Sequence, residues 1–291
     1  MPQSVTAPRR KQGFVGSAGP RERRDVRSGG SGPGGPREPR DPRSEVVQGL
    51  RAGLAVFARR PGDVVRVVHT RGVRDELGDL VRAAARTGLP CAEVSETELD
   101  RLAESTHHEG LCVIARPLRW APAREFAEVL ERTRGAAVAL DRVRNPYNVG
   151  AILRSAAFFG FDGALFGAQA PHPDLAPTAI RVAEGGVEHL LVSRTTDLAD
   201  TLARLRERGV RVVGADGEAK AGAIGFAFGR PTLLVLGNER EGLADRVRAQ
   251  CDAIVAIRGS GAVESLNVAV AAGVLMAEVM RQTGGQIAGK G

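Results

Sequence analysis

Apolar positions along residues 45–116 change repeatedly between helical and strand spacing, and this predicts a small domain of mixed helices and strands. The glycine and proline at 88–90 mark a turn inside it. The predicted elements, in order, are a helix with the apolar face Val47, Leu50, Leu54 and Phe57, a strand at 64–68, a helix with the face Leu77, Leu80, Val81 and Ala84, a strand at 91–94, a helix opened by a capping box of Ser95 and Glu98, and a strand at 111–115.

A second and larger α/β region is predicted over 136–283, after a linker and a helix over 117–135. Strands that alternate with helices along a chain indicate an α/β domain. The strands are predicted at 136–140, 163–166, 189–192, 210–214, 233–236 and 254–257, and the helices at 152–159, 198–206 and 266–280.

The last predicted helix, 266–280, is apolar on nearly every face and is interrupted by Asn267, Gly273 and Glu278. It is shorter than the roughly 18 apolar residues that cross a bilayer. A helix that is apolar all round must be covered all round. We therefore expect either a core helix or half of a subunit interface.

Positive charge is concentrated at the start of the chain. Residues 1–44 carry ten basic and four acidic side chains, which is +6 of the formal net charge of +7, and they are rich in Gly, Pro and Ser. A segment with so little to bury is expected to be disordered, as is the short C-terminus at 284–291. The tail's charge suits RNA phosphates, whose binding releases counterions. A solvated leader is the alternative, because arginine dominates the basic residues of the whole chain.

Composition argues against several classes of protein. Cys91, Cys112 and Cys251 are far apart and odd in number, which disfavours a disulfide framework or a cysteine metal site. There is no long apolar run and no apolar segment at the N-terminus that resembles a signal peptide. We therefore expect a cytoplasmic protein without a membrane or a metal partner.

Two polar segments that follow predicted strands are candidates for chemistry. In the first, 140–154, an Asn-Pro turn leads into a helix expected to start near Asn148. Taken by itself, Asn148 could simply be a helix cap, and Arg154 could be an ordinary surface arginine. The second, 233–243, places Gly237 and Glu239 in a loop at the carboxyl end of a strand. Ligands bind there in α/β proteins, and an ordinary Gly-Asn turn is the alternative.

The third candidate segment, 257–268, is a glycine-rich loop that opens the long apolar helix. Exposed amides at a helix start can hold a ligand, while Ser265 also suits a simple helix cap. Asn267 is polar at the head of a helix expected to be buried. Because a buried amide needs partners, we expect Asn267 to be tied to a site.

Together, in this order and spacing, the three segments resemble the signature motifs of the SpoU (TrmH) family of SPOUT RNA methyltransferases. The resemblance extends from Leu140 to Met280. Residues 45–116, with His107-His108-Glu109-Gly110-Leu111 before the last strand, look like the family's N-terminal substrate-binding domain. The basic tail, the paired histidines and the loop 259–261 are similar to a YfiF-like branch of the family.

The resemblance implies a fold, a cofactor and an assembly. It implies an α/β catalytic domain with a deep trefoil knot, which is a rare exception among folds, preceded by a small L30e-like α/β domain that binds RNA. S-adenosylmethionine would lie in the knot against the backbone around Gly237, Ile257 and Leu266. Two copies would form a homodimer with the site at the subunit interface, which agrees with the apolar last helix.

The implied activity is 2′-O-methylation of ribose in ribosomal or transfer RNA. The reaction is an in-line attack of a 2′-hydroxyl on a sulfonium methyl group, so much of the catalysis is positioning. Arg154 resembles the family's essential arginine, which is often given the role of general base. Because a guanidinium is a poor base, Arg154 is expected to act as a clamp on phosphate and ribose rather than as the proton acceptor. Five residues match the family's motifs: Asn148, Arg154, Glu239, Ser265 and Asn267. Ser265 and Asn267 would orient Arg154 or the ribose. Asn148 and Glu239 would shape the pocket by hydrogen bonding.

One departure from the family concerns the pocket floor, where Arg258-Gly259 replaces a common Pro-Met pair. Two other functions fit the sequence less well. A Rossmann-type methyltransferase needs a Gly-x-Gly turn after its first strand, which is missing, and an RNA-binding protein without catalysis would not need Arg154, Ser265 and Asn267. The adjacent His107 and His108 have no metal-ligand spacing and are expected to be loop residues or RNA contacts.

Overall fold

The computed structural model describes residues 44–167 and 175–282. Apart from Ser44, the predicted basic tail lies outside the described residues, and so does the predicted C-terminal segment at 284–291. Both expectations therefore stay predictions. No helix in the described ranges is long and apolar enough to cross a membrane.

The first part of the fold is a four-stranded sheet with helices between its strands. The sheet order is β1-β4-β2-β3, in which β4 runs antiparallel to β1 and β2, and β3 runs parallel to β2. Its elements are β1 (Glu45–Gln48), α1 (Leu50–Arg59), β2 (Val64–His69), α2 (Gly78–Thr87), β3 (Cys91–Glu93), α3 (Glu96–Ala103) and β4 (Leu111–Ala115).

The predicted helix over Val47–Phe57 was wrong at its start, because Val47 lies in strand β1 and pairs with Val113. Strand and helix follow each other with Gly49 between them, and the separation of three positions between Val47 and Leu50 matches a helical spacing by coincidence. Gly49 has φ +106, a conformation that glycine adopts readily and that turns the chain between the two elements. The capping box of Ser95 and Glu98 is confirmed by hydrogen bonds in both directions.

The second part is a seven-stranded sheet in which every pairing is parallel. The strands are β5 (Ala136–Leu140), β6 (Gly163–Phe166), β7 (Leu191–Arg194), β8 (Arg211–Ala215), β9 (Ala221–Gly222), β10 (Thr232–Leu236) and β11 (Ala253–Ala256). Their order in the sheet is β7-β6-β5-β10-β8-β11-β9. The helices are α4 (Ala123–Thr133), α5 (Pro146–Phe158), α6 (Pro177–Val182), α7 (Leu198–Glu207), α8 (Asp245–Arg248) and α9 (Val268–Arg281).

Helices cover both faces of this sheet. Val138 and Leu140 of β5 face a core shared with α5, α6 and α9, whereas Ala137 and Ala139 face a core shared with α4, α7 and α8. A parallel strand buried on both sides reads as a continuous apolar run, which is why β5 and β10 were predicted nearly to the residue. The short elements β9, α6 and α8 were not predicted.

Helix α5 starts earlier than predicted, and helix α9 starts later. Helix α5 begins at Pro146, and its cap is Asn145, whose Oδ1 accepts from the Tyr147 amide at 2.9 Å. Asn148 is therefore inside the first turn and not at its cap, because proline favours the first helical position. Helix α9 begins at Val268 and is capped by Asn267 instead of Ser265.

Within one chain, helix α9 is not covered on all of its faces. Its inner face, which includes Ala272 and Leu275, is buried. Its outer face leaves Val270 53% exposed and Ala277 exposed as well. The core-helix interpretation is therefore wrong, and the alternative, half of a subunit interface, stays a prediction. The polar residue Glu278 lies on the buried side and accepts hydrogen bonds from Arg281, Gln282 and the Gly225 amide.

Candidate active site

The three sequence segments meet at the carboxyl edge of the large sheet through Asn148. Its Nδ2 donates to Glu239 Oε1 at 2.5 Å, and its Oδ1 accepts from Asn267 Nδ2 at 3.0 Å. One side chain in the first turn of α5 thereby joins the loop after β10 to the cap of α9. We call these three residues the linked trio. Since an amide has both donor and acceptor groups, asparagine can make both bonds at once.

The loop after β10 is held in a tight turn by its backbone. Asn238 and Gly242 exchange two backbone hydrogen bonds of 3.0 Å. A Cβ atom on Gly237 would lie 2.4 Å from the Gly242 carbonyl carbon, so only glycine fits there. Glu239 is carried at the tip of this loop, and its position therefore depends on that close approach.

Asn238 and Arg142, to which the sequence analysis assigned no role, tie the loops after β5 and β10 together. Asn238 Nδ2 donates to the Arg142 carbonyl at 3.0 Å, and Asn238 Oδ1 accepts from the Arg240 amide at 2.9 Å. The Arg142 guanidinium donates to the Gly242 carbonyl at 3.1 Å and also contacts Glu241. The sequence did contain a signal for Asn238. In a turn, an asparagine side chain commonly bonds to the backbone two residues further on.

The third segment lies open along the same edge. Ser265 and Leu266 are exposed, and Ile257 is half-buried against the core. The Ser265 side chain makes no hydrogen bond to any residue that the structure describes. Asn267 was expected to be buried, but it is exposed. It is nevertheless tied to the site by its bond to Asn148, and it caps α9 by accepting from the Ala269 amide at 2.9 Å.

Arg258, the residue that departs from the family's pattern, is directed away from the open loop. Its Nη2 donates to the carbonyls of Ala219 and Lys220 at 2.9 and 2.6 Å. The Arg258 guanidinium therefore links the segment after β11 to the segment before β9. Since β10, β8 and β11 are neighbours in the sheet, the backbone after each of them, including Gly237 and Ile257, lies along one edge.

Arg154 is not part of the linked trio within one chain. It lies six residues after Asn148 on α5, which at 3.6 residues per turn places it on a different face of the helix. Its Nη1 donates to Glu184 Oε1 at 2.6 Å, and its side chain is 53% exposed. The structure thus brings together three of the five residues proposed for catalysis, and leaves Arg154 and Ser265 apart from them.

A cavity of about 310 Å³ opens at the same edge of the sheet but on the α7 side. It is lined by Asp141, Arg142, Asp197 and Arg246 among others, and it contains no member of the linked trio. In the described part of the chain no cluster of three or more His, Cys, Asp or Glu side chains is arranged to hold a metal ion.

The histidine motif of the small domain lies in a loop and serves the fold. His108 is buried, its Nε2 is 3.0 Å from Asp100 Oδ1, and its Nδ1 accepts from the Gly110 amide at 3.0 Å. Glu109 Oε2 accepts from the Leu50 amide at 3.0 Å and so satisfies the start of α1. His107 is exposed.

Comparisons with known proteins agree with this architecture. Residues 135–277 match the SpoU rRNA Methylase family, and residues 46–121 match the family described as RNA 2′-O ribose methyltransferase substrate binding. A protein of Mycobacterium ulcerans named as an uncharacterized tRNA/rRNA methyltransferase is 35% identical over 81% of this chain and 74% of its own.

Solved structures share the fold. The SpoU methyltransferase AviRb from Streptomyces viridochromogenes has a TM-score of 0.66 at 26% identity, covering 82% of this chain and 90% of its own. An rRNA methyltransferase from Sinorhizobium meliloti, solved with bound S-adenosylmethionine, has a TM-score of 0.68 at 23% identity and covers 82% of this chain and 88% of its own.

The matches of the parallel α/β domain to an RNA methylase family and of the preceding domain to an RNA substrate-binding family place the chain among the RNA-modifying methyltransferases. Within that class the chain belongs to the SpoU rRNA methylase family. It is an RNA 2′-O-ribose methyltransferase, and the methyl donor of its family is S-adenosylmethionine. The family predicted from the three segments and the α/β class predicted from the alternation of strands and helices are both confirmed.

Proposed function

We propose that this chain methylates a ribose 2′-hydroxyl of ribosomal or transfer RNA at a site built on the linked trio. The observation that carries the proposal is the pair of hydrogen bonds from Asn148 to Glu239 and Asn267, which unites residues 91 and 119 positions away. The names of the relatives support a ribosomal or transfer RNA as substrate. Methyl transfer between two bound reactants depends strongly on holding them in line.

The residues along the open edge suit the cofactor. Backbone around Gly237, half-buried Ile257 and exposed Leu266 would hold it, because apolar side chains beside exposed backbone groups fit a ligand with an aromatic base and several polar edges. The knot implied by the family would be formed by the loops after β10 and β11. S-adenosylmethionine, when bound, supplies a sulfonium methyl group that an oxygen nucleophile can attack.

The chain's own polar residues would position the RNA. Asn148 holds the Glu239 carboxylate in one orientation, which would shape the pocket beside the attacking hydroxyl. Ser265, whose hydroxyl makes no bond to a described residue, would donate to or accept from the ribose. Arg154 would clamp the phosphate next to that ribose, because its fork of donors matches phosphate oxygens.

We propose that the working unit is a homodimer. The outer face of α9 exposes Val270 and Ala277, with Leu266 exposed just before the helix. A second copy of α9 would cover this apolar face. The separation of Arg154 from the linked trio within one chain supports a site completed across such an interface, with Arg154 of the partner subunit facing the trio.

The proposal is tested by incubating the purified protein with labelled S-adenosylmethionine and ribosomal and transfer RNA transcribed without modifications. We expect label in one RNA class, located at a ribose 2′-oxygen by its resistance to alkaline cleavage. The alternative, an RNA-binding protein without activity, predicts binding of both RNA and cofactor with no label in either class. That result would overturn the proposed function.

A further inference from the structure

Glu184 occupies a position between Arg154 and the substrate-binding domain. Its Oε1 accepts from Arg154 Nη1 at 2.6 Å, and its Oε2 accepts from Arg51 Nη1 at 3.3 Å. Arg51 lies on α1 of the small domain, and Arg154 lies on α5 of the catalytic domain. One carboxylate therefore joins an arginine from each domain, with one oxygen for each.

The backbone around Glu184 is built for this placement. Glu184 has φ +46, a left-handed backbone conformation that residues other than glycine rarely adopt. The next two residues are glycines at points of close approach: a Cβ on Gly185 would lie 2.5 Å from Ala55 Cβ, and one on Gly186 would lie 3.1 Å from the Arg154 Cα. The turn is wedged between α1 and α5, so the backbone that carries the carboxylate has little freedom to move away.

The small domain is itself held against this turn. Arg60, at the end of α1, donates from Nε to Glu188 Oε2 at 2.9 Å and from Nη2 to Glu45 Oε1 at 3.1 Å, and the Glu188 side chain is almost fully buried. A displacement of α1 relative to the catalytic domain would therefore disturb both the buried pairs and the contact of Arg51 with Glu184.

Arg154 keeps donors for RNA, because within the described part of the chain its guanidinium bonds only to Glu184. A guanidinium has five N–H donors in a plane, and the contact with Glu184 uses Nη1. Because one edge is anchored, the guanidinium plane is oriented before RNA arrives. A clamp held in one orientation would place the phosphate and its ribose in the geometry that the in-line attack requires.

We propose that Glu184 is a positioning residue that orients the Arg154 guanidinium and relays the placement of the substrate-binding domain to it. The inference rests on the proposed role of Arg154 in methyl transfer. A plain surface ion pair is the competing explanation. Exposed pairs contribute little to stability, so that explanation predicts no change in the rate of transfer when Glu184 is neutralised.

The test compares Glu184→Gln with a matched control, Glu131→Gln. Glu131 pairs with Arg208 at 2.5 Å on the opposite side of the sheet, and its side chain is 33% exposed against 31% for Glu184. Single-turnover methylation at saturating RNA, RNA and cofactor affinities, and the melting temperature are measured for both. We expect Glu184→Gln to slow transfer by about tenfold, since small misplacements carry large rate costs, while both affinities and the melting temperature stay near wild type. The control keeps its rate.

A double-mutant cycle separates positioning from a general effect. If Glu184 acts through Arg154, Glu184→Gln has no further effect on the residual rate of Arg154→Lys. Glu184→Asp keeps the charge and draws it back by one methylene, so it should slow transfer less than Glu184→Gln, and it carries the test should the glutamine variant fail to fold.

The outcomes distinguish the two proposals. If Arg154→Ala abolishes transfer while Glu184→Gln keeps the wild-type rate, the inference about Glu184 is wrong and the proposed function stands. The inference is also overturned if the effects of Glu184→Gln and Arg154→Lys multiply independently. If Arg154→Ala itself keeps the wild-type rate, the role of Arg154 fails and the inference fails with it.

Discussion

Asn148 and Asn267 lie 119 residues apart in the sequence, and the side-chain amide of Asn267 donates to the side-chain oxygen of Asn148 at 3.0 Å. Each of these asparagines also does something local. Asn267 caps α9, and Asn148 holds Glu239. The start of one helix and the first turn of another are thus joined directly at the candidate site, so a change at either residue should reach the other's loop.

Asn148→Ala is expected to slow methyl transfer by about a hundredfold, the order of a misplacement of roughly 1 Å, because Glu239 and Asn267 both lose their partner. Asn145→Ala is the matched control on the same helix. It removes a helix cap and should lower the free energy of unfolding by about 1 kcal/mol with a much smaller effect on rate. Single-turnover rates and denaturant unfolding measure both. Equal rates for the two variants would contradict the role of Asn148.

Arg154→Ala is expected to abolish transfer with fold and cofactor binding retained. Its side chain is half-exposed, and an exposed ion pair contributes only about 0–1 kcal/mol. Arg154→Lys should also be strongly impaired, because lysine cannot make the forked contact with phosphate. Single-turnover kinetics and cofactor calorimetry measure the two effects, and a near-normal rate in Arg154→Ala would rule out the assigned role.

Gly237→Ala is expected to disrupt the loop that carries Glu239. The new Cβ would lie 2.4 Å from the Gly242 carbonyl carbon, and its nearest neighbours are all backbone atoms of Gly242 and Leu243, which cannot move aside as a flexible side chain can. Forced displacement of this kind costs roughly 1–3 kcal/mol, and cofactor affinity should fall with it. Gly217→Ala is the control, because nothing lies within 4 Å of its added Cβ. Unchanged cofactor binding in Gly237→Ala would show that the loop does not hold the cofactor.

Val270→Asp tests the homodimer. Val270 is 53% exposed in one chain and lies in the first turn of α9, where a carboxylate is favourable in a monomer. In a dimer the same carboxylate would be buried without a partner. Light scattering should therefore show dissociation, whereas Val65→Asp, at a valine 45% exposed on β2, should leave the dimer intact. A wild-type protein that is active as a monomer would refute the proposed assembly.

Glu278 predicts a dependence of stability on pH. Hydrogen bonds from Arg281, Gln282 and the Gly225 amide lower the pKa of Glu278 from 4.5 to about 2. Because the folded pKa is the lower one, the stabilisation is complete above pH 4.5 and is lost as the pH falls toward 2. Glu278→Gln should therefore lower stability at neutral pH and flatten the fall between these values. Glu207→Gln, at an exposed position on α7, should parallel wild type, and identical curves for Glu278→Gln would contradict the prediction.

Elements with a strong local signal were predictable from the sequence. Strands β5 and β10 are apolar on both faces and were predicted to within one residue, and the capping box of α3 was read directly from Ser95 and Glu98. Errors fell where two elements meet. Val47 fitted a helical spacing although its backbone pairs with β4, because strand pairing is a tertiary interaction that spacing does not record.

The sequence by itself determined the family, the α/β class and the identity of the three segments, because motif residues and buried strands keep their order and spacing along the chain. Only the tertiary structure decided which residues touch. Asn148 reaches Glu239 and Asn267 because parallel strands bring their carboxyl ends to one edge. Glu184 gave no signal at all. It meets Arg154 and Arg51 only because a left-handed turn is packed between two helices from different domains, and that packing depends on contacts distant in sequence.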